Sequence, residues 1–202
     1  MKHKVFISYH HANDQSYRNQ LSATNVLNDI FIDGSVGTDE IDDALDDQSI
    51  RSVIRDQYLR DTTVTIVLVG TETKRRKHVD WEIYSSMFDG ARNKQSGVMA
   101  VMLPATNCNF FHAPHGSVEK TSVHPGCSEW GTWTCAEYEH NFPFAPDRII
   151  DNLACPNARV SVVPWYIIEE NPEKLRVLVE LAHTNRAASE YDLSRPMRRS
   201  NS

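Results

Sequence analysis

Between Val64 and Val69 the chain reads VTIVLV, an almost unbroken run of β-branched and aliphatic residues. A strand without polar alternation is covered on both faces, as the strands of a parallel sheet are. Gly70 and Thr71 end the run, and a basic stretch, Lys74, Arg75, Arg76 and Lys77, follows. Val79, Ile83, Ser86, Met87 and Gly90 then recur at helical spacing, which predicts a helix whose small and apolar stripe lies on that sheet. Glu82 falls on the flank of the stripe, half in and half out of the core.

The same patterning predicts the other elements. Val5 to Tyr9 reads as an interior strand, followed by a helix capped by Asp14 or Ser16 that runs to about Asn28. Ile30, Phe31 and Ile32 form a short second strand, and Gly34 to Asp47 a long acidic loop. Ile50, Val53, Ile54 and Tyr58 give one helical face over 48–59. Gly97 to Leu103 is another buried strand, stopped by Pro104, and a last strand is predicted at Arg159 to Val163. Pro172, with Asn171 as cap, opens a final helix to about Ala188 with Leu175, Leu178, Val179 and Ala182 inward. This alternation implies an α/β fold with a parallel sheet and right-handed crossovers. Residues 105–148 hold no sustained periodicity and read as an irregular insertion after the fourth strand. The expected organisation is a single domain over 1–190 and a flexible tail over 191–202, which carries Arg195, Arg198 and Arg199.

Composition narrows the class. A chain of 202 residues fits one core of about 150 residues with an elaboration. The 40% hydrophobic and 24% charged content is that of a soluble globular protein. A net charge of -6 argues against general nucleic-acid binding, and the acidity is concentrated in Asp39 to Asp47. No apolar run approaches the roughly 20 residues that cross a bilayer, and the N-terminus has no signal-peptide pattern. Four cysteines without a repeating frame fit reduced thiols. A cytoplasmic protein with neither nucleic-acid nor membrane partners is expected.

Candidate chemistry lies at the carboxyl edge of the predicted sheet, where open α/β folds place ligands. Ser8, Tyr9, His10, His11, Asn13 and Asp14 crowd polar side chains at the exit of the first strand. The basic stretch precedes a helix start, where the macrodipole favours anions, so one or two of these cations could meet a phosphate; the alternative is a solvated basic turn. His112, His115, His124, His140, Cys127 and Cys135 match no recurrent zinc frame, and no metal site is assigned. Dinucleotide, P-loop and GxSxG motifs are absent. A single carboxylate, Glu82, is too few for ordinary glycoside hydrolysis. It suffices for the nicotinamide–ribose bond of NAD, whose leaving group departs neutral from a cationic pyridinium.

Phe6-Ile7-Ser8-Tyr9-His10, the long loop after the second strand, and Arg76 to Ile83 with its Trp-Glu-Ile end resemble the Toll/interleukin-1 receptor (TIR) domain. More closely they are similar to bacterial TIR-like proteins of the Thoeris antiphage system, over about residues 4–103. The resemblance implies a flavodoxin-like fold and a glutamate-dependent NAD glycohydrolase or cyclase, with NAD as substrate and no cofactor. Glu82 would be catalytic, Ser8, Tyr9 and His10 would meet the nucleotide, and Arg76, Trp81 and Asp33 would line the substrate. It further implies a cyclic or conjugated ADP-ribose messenger that activates a separate effector protein, a phage-derived trigger, and self-association. Two alternatives stay open: a non-catalytic adaptor that docks through the acidic loop 38–47, and a nucleoside or nucleotide N-glycosyl-transferring enzyme with Glu82 as nucleophile.

Overall fold

The computed structural model describes residues 2–35, 45–91 and 94–201. Its sheet has five parallel strands: β1 Lys4–Ser8, β2 Ile32–Asp33, β3 Val64–Val69, β4 Gly97–Met102 and β5 Val160–Pro164. Their order is β2-β1-β3-β4-β5, the flavodoxin-like arrangement. Every residue of β3 and β4 is buried, as an uninterrupted apolar run requires of central strands.

Helices cover both faces. On one, α1 (His11–Asn28), α7 (Trp165–Glu170) and α8 (Pro172–Asn185) close over Ile7, Ile66, Leu68 and Val101. On the other, α3 (Lys77–Met87), α5 (Cys135–Asn141) and α6 (Asp147–Ala154) close over Val67, Val69, Ala100 and Val162. A third cluster joins Phe6 of β1, Ile50 and Ile54, Trp81 of α3, and Met197 near the C-terminus. No helix among the described residues is long and apolar enough to cross a membrane.

Four elements differ from the sequence reading. The second strand is only two residues long, because Asn25 of α1 claims the backbone of Phe31, donating to its carbonyl (3.2 Å) and accepting from its N–H (2.8 Å). The helix expected over 48–59 divides into α2 (Asp47–Val53) and a wider π turn (Ile54–Tyr58). Within that turn Arg55 is buried and donates to the carbonyls of Ser85 and Lys94. The stretch 105–148, expected as an irregular insertion, contains α4 (Ser117–Val123) and α5, seven-residue helices too short to show periodicity; Thr134 and Glu137 form a capping box on α5. His112 pairs antiparallel with Val162 and so covers the outer edge of β5.

The tail is the fourth difference, for it is packed rather than frayed. Arg195 pairs with Asp151 (2.6 Å), Arg198 pairs with Asp147 (3.2 Å), and Met197 is 3% exposed. Of the acidic loop, residues 36–44, which include Asp42 and Asp43, lie outside the described residues.

A Cβ on Gly97, the first residue of β4, would stand 2.1 Å from the carbonyl oxygen of Ala182 in α8. Gly97→Ala is therefore expected to cost about 1–3 kcal/mol, the range of an overpacked core. Thermal unfolding would show this as a Tm lower by about 2–12 °C; an unchanged Tm would mean that α8 yields without cost.

Candidate active site

β1 has β2 on one side and β3 on the other, so the sheet changes direction between β1 and β3. Open α/β sheets bind ligands outside the carboxyl ends of the strands at such a point. Ser8 ends β1 there, and α3 follows β3. The Ser8 hydroxyl, 1% exposed, donates a 2.6 Å hydrogen bond to Oε2 of Glu82, which is 6% exposed. Burial pushes the Glu82 carboxyl up to about 7, and the Ser8 hydrogen bond pulls partly against that rise. Glu82 is thus deeper than the half-exposed position the helical spacing predicts. α3 is buried nearly all round, at Val79, Asp80, Trp81, Ile83, Ser85, Ser86 and Met87.

The other polar residues of the first strand's exit gather beside this pair. Tyr9 donates to Gln15 (2.7 Å) and stacks on His11 at 4.3 Å. Burial raises its hydroxyl pKa, Arg18 acts against the rise, and Glu82 and Asp33 add to it, so three charged side chains act on one ring. Asp33, at the end of β2, pairs with Arg18 at 3.1 Å and accepts from the Ser35 backbone N–H; the Ser35 hydroxyl in turn accepts from the N–H of Ile7. Burial and the nearby Arg76 cation hold the His10 imidazole below its ordinary pKa. Among the described residues, His10 Nδ1 and Arg76 Nε are buried with no hydrogen-bond partner. Such orphaned groups are uncommon in folded proteins.

Ser8, Tyr9, His10, Asp33, Arg76 and Glu82 are thus brought together along one edge. Trp81 is not. It is 0% exposed, and its indole N–H donates to the Arg198 carbonyl (2.7 Å). Its ring has no surface to offer a substrate, so the expected contact is corrected to a core role. The basic stretch is also mostly neutralised internally: Lys74 meets Asp147 at 3.1 Å, and Arg75 and Arg76 both meet Glu72.

Arg18, Gln15 and Ser35 position this edge, although the sequence reading did not single them out. Arg18 and Ser22 stand one helical turn apart on α1 and both reach Asp33, a pairing visible only once β2 is placed beside α1. Asp14 is buried at the carboxyl end of β3, against Gly70 and Thr73.

A perturbed carboxyl alone does not mark the site. Glu119 of α4 is 0% exposed, burial pushes it up to about 7, and it accepts from Ser161 and the His115 N–H. It bonds Ser161 near the start of β5, whereas Glu82 bonds Ser8 at the carboxyl end of β1, the edge where such sheets bind ligands. A cavity of about 640 Å³ lined by Phe110, Phe111, Trp130, Trp133, Tyr138 and Arg159 borders the insertion and shares no residue with the Glu82 edge. The insertion's histidines and cysteines form no metal-sized cluster among the described residues, and all four cysteines are free.

No curated protein matches the chain. A solved structure described as the activated Roq1 resistosome directly recognizing the pathogen effector XopQ (TIR domains) is similar over 96% of this chain and 89% of that one, at 12% identity and a TM-score of 0.33. The family model of the Thoeris protein ThsB, TIR-like domain, matches residues 6–108, which hold the end of β1, all of β2 to β4, Ser8 and Glu82. With half of its length so matched, the chain belongs to the TIR-like family of the Thoeris protein ThsB.

Proposed function

We propose that the protein cleaves the nicotinamide–ribose bond of NAD with Glu82 as the catalytic carboxylate, and releases an ADP-ribose-derived nucleotide, cyclic or conjugated, as a signal in antiphage defence. The observation that carries this reading is a buried glutamate, hydrogen-bonded to Ser8, at the carboxyl edge of a TIR-like sheet. As the bond from ribose C1′ to the pyridinium nitrogen breaks, its electron pair neutralises the ring and nicotinamide leaves. The positive charge moves to an oxocarbenium-like ribose, which the Glu82 carboxylate stabilises across a short, water-poor gap. A nucleophile then closes on C1′ and gives up its proton. Water yields ADP-ribose, a group of the same nucleotide yields a cyclic product, and another molecule yields a conjugate. The cationic pyridinium itself favours ionised Glu82, so binding lowers the carboxyl that burial has raised. The half-buried His10 and Arg76 side chains are the groups of this edge fitted to the remaining polar atoms of NAD. The protein needs no cofactor in this scheme, and the nucleotide reaches a separate effector; a phage-derived activator and self-association govern when it acts.

The test is mass spectrometry of nucleotides from cells carrying the wild type or Glu82→Gln, with and without phage infection. An ADP-ribose-type species confined to infected wild-type cells is expected, and its mass identifies the acceptor. No difference between the two proteins, both folded and challenged with several phages, would instead favour a non-catalytic interaction module.

Ser8 gives a finer check. Because its hydrogen bond lowers the Glu82 carboxyl, Ser8→Ala raises it further. Turnover requires the ionised form, so the acid limb of the rate–pH profile is expected to move to higher pH in Ser8→Ala. A limb that stays in place would assign it to a group other than Glu82.

A further inference from the structure

At the opposite, amino edge of the sheet, His3 just before β1 meets Glu180 and His183 of α8. Glu180 and His183 stand at i and i+3, so they project from one side of the helix. His3 Nε2 lies 2.8 Å from a Glu180 carboxylate oxygen, and the His3 and His183 rings stack with centroids 3.5 Å apart. One donor atom from each of the three lies within 4.8 Å of the others, and no other such trio occurs among the described residues. The His3 side chain is 12% exposed, whereas Glu180 opens to solvent at 59%, which gives an ion a path of entry.

We propose that His3, Glu180 and His183 bind one zinc-class divalent ion, which staples the first strand to the last helix, with water in the fourth position. Two imidazoles and one carboxylate suit zinc and its borderline neighbours, cobalt and nickel, whereas magnesium and calcium seek oxygen donors. A tetrahedral zinc with bonds of about 2.0–2.1 Å holds its ligand atoms about 3.4 Å apart. The three donors therefore need to draw in by no more than about 1.5 Å, within the reach of side-chain rotation. The ion replaces the His3–Glu180 hydrogen bond, so His3 carries its proton on Nδ1 and offers Nε2 to the metal. The ligands come from elements that the sheet already brings together, so the ion finds a formed site rather than ordering a loop.

The experiment strips the full-length protein with a chelator and titrates it with zinc, and separately with cobalt. Native mass spectrometry reads stoichiometry, visible absorption reads cobalt geometry, and thermal unfolding reads the stabilisation. One ion per chain is expected, with a tetrahedral cobalt spectrum and a Tm higher by about 5–10 °C at a hundredfold excess over Kd. Magnesium at the same concentration should leave Tm unchanged. His3→Ala and His183→Ala should each weaken binding by at least about 10–100-fold. Glu180→Gln, which keeps its size and can still bond to His3, should also weaken it and serves if a histidine variant fails to fold. Absence of saturable uptake would overturn the assignment. So would uptake that persists undiminished in the three variants, since the ion would then sit on the thiols or histidines of the insertion.

Discussion

Glu82→Gln is expected to lower NAD turnover by at least about 100-fold while leaving the protein as stable as the wild type or more so. The two effects come from one burial. The folded carboxyl titrates at about 7, against 4.5 for the free side chain, because its charge has left water. A carboxylate whose pKa is raised on folding costs stability when ionised: the cost is absent below 4.5, grows across the window from 4.5 to 7, and is complete above 7. At 1.36 kcal/mol per pKa unit it amounts to about 3 kcal/mol. Gln carries no charge, so it escapes this penalty, although its amide must find an acceptor where the carboxylate had only to accept from Ser8. A Tm equal to or a few degrees above that of the wild type at pH 8, converging with it near pH 5, is the expected pattern. A Tm that falls together with activity would make Glu82 a structural partner of Ser8, and the catalytic reading would not survive.

That burial shows where sequence legibility ends. The run from Val64 to Val69 and the spacing of Val79, Ile83 and Met87 settle a central strand and its helix, because periodicity reports which face is covered. Glu82 and the polar exit of β1 stand out because parallel sheets put both at the same edge. What closes over the flanks of α3 comes from far along the chain. Trp81 reads as a site aromatic beside the glutamate, yet Phe6, Ile50 and Met197 enclose it. Arg195 and Arg198 read as solvated tail residues, since their acidic partners, Asp151 and Asp147, lie 44 and 51 positions away and are placed only by the packing of α6. The second strand is shortened for the same reason, as a single amide from α1 captures its backbone. Local patterns carry the elements, and side-chain hydrogen bonds across sequence trim and anchor them.

The anchor with the largest expected effect on stability is Arg148. It is 0% exposed and grips Asp80 of α3 with two bonds, Nε to Oδ1 at 3.0 Å and a terminal nitrogen to Oδ2 at 3.2 Å. It also donates to the carbonyls of Arg195 and Pro196, while Asp80 accepts from the N–H of Arg198. One guanidinium thus ties α6, α3 and the C-terminal segment together, and α3 is the helix that carries Glu82. A fully desolvated pair of this kind adds little net stability as a whole, yet losing one member leaves the other charge buried and unmatched. Arg148→Met is accordingly expected to cost about 3–5 kcal/mol, with Tm lower by about 6–20 °C. Adding Asp80→Asn should restore part of the loss, because the stranded carboxylate is then neutral. Amide exchange over residues 195–201 should rise in the single variant, as the carbonyls of Arg195 and Pro196 lose their donor. A cost below about 1 kcal/mol, the range of an exposed pair, would mean that water reaches Asp80 and that apolar packing around Met197 alone holds the segment. If the larger value is found, the segment that looks dispensable in sequence is a wall of the helix that presents Glu82, and truncating it should disturb the active-site edge without removing any residue that touches NAD.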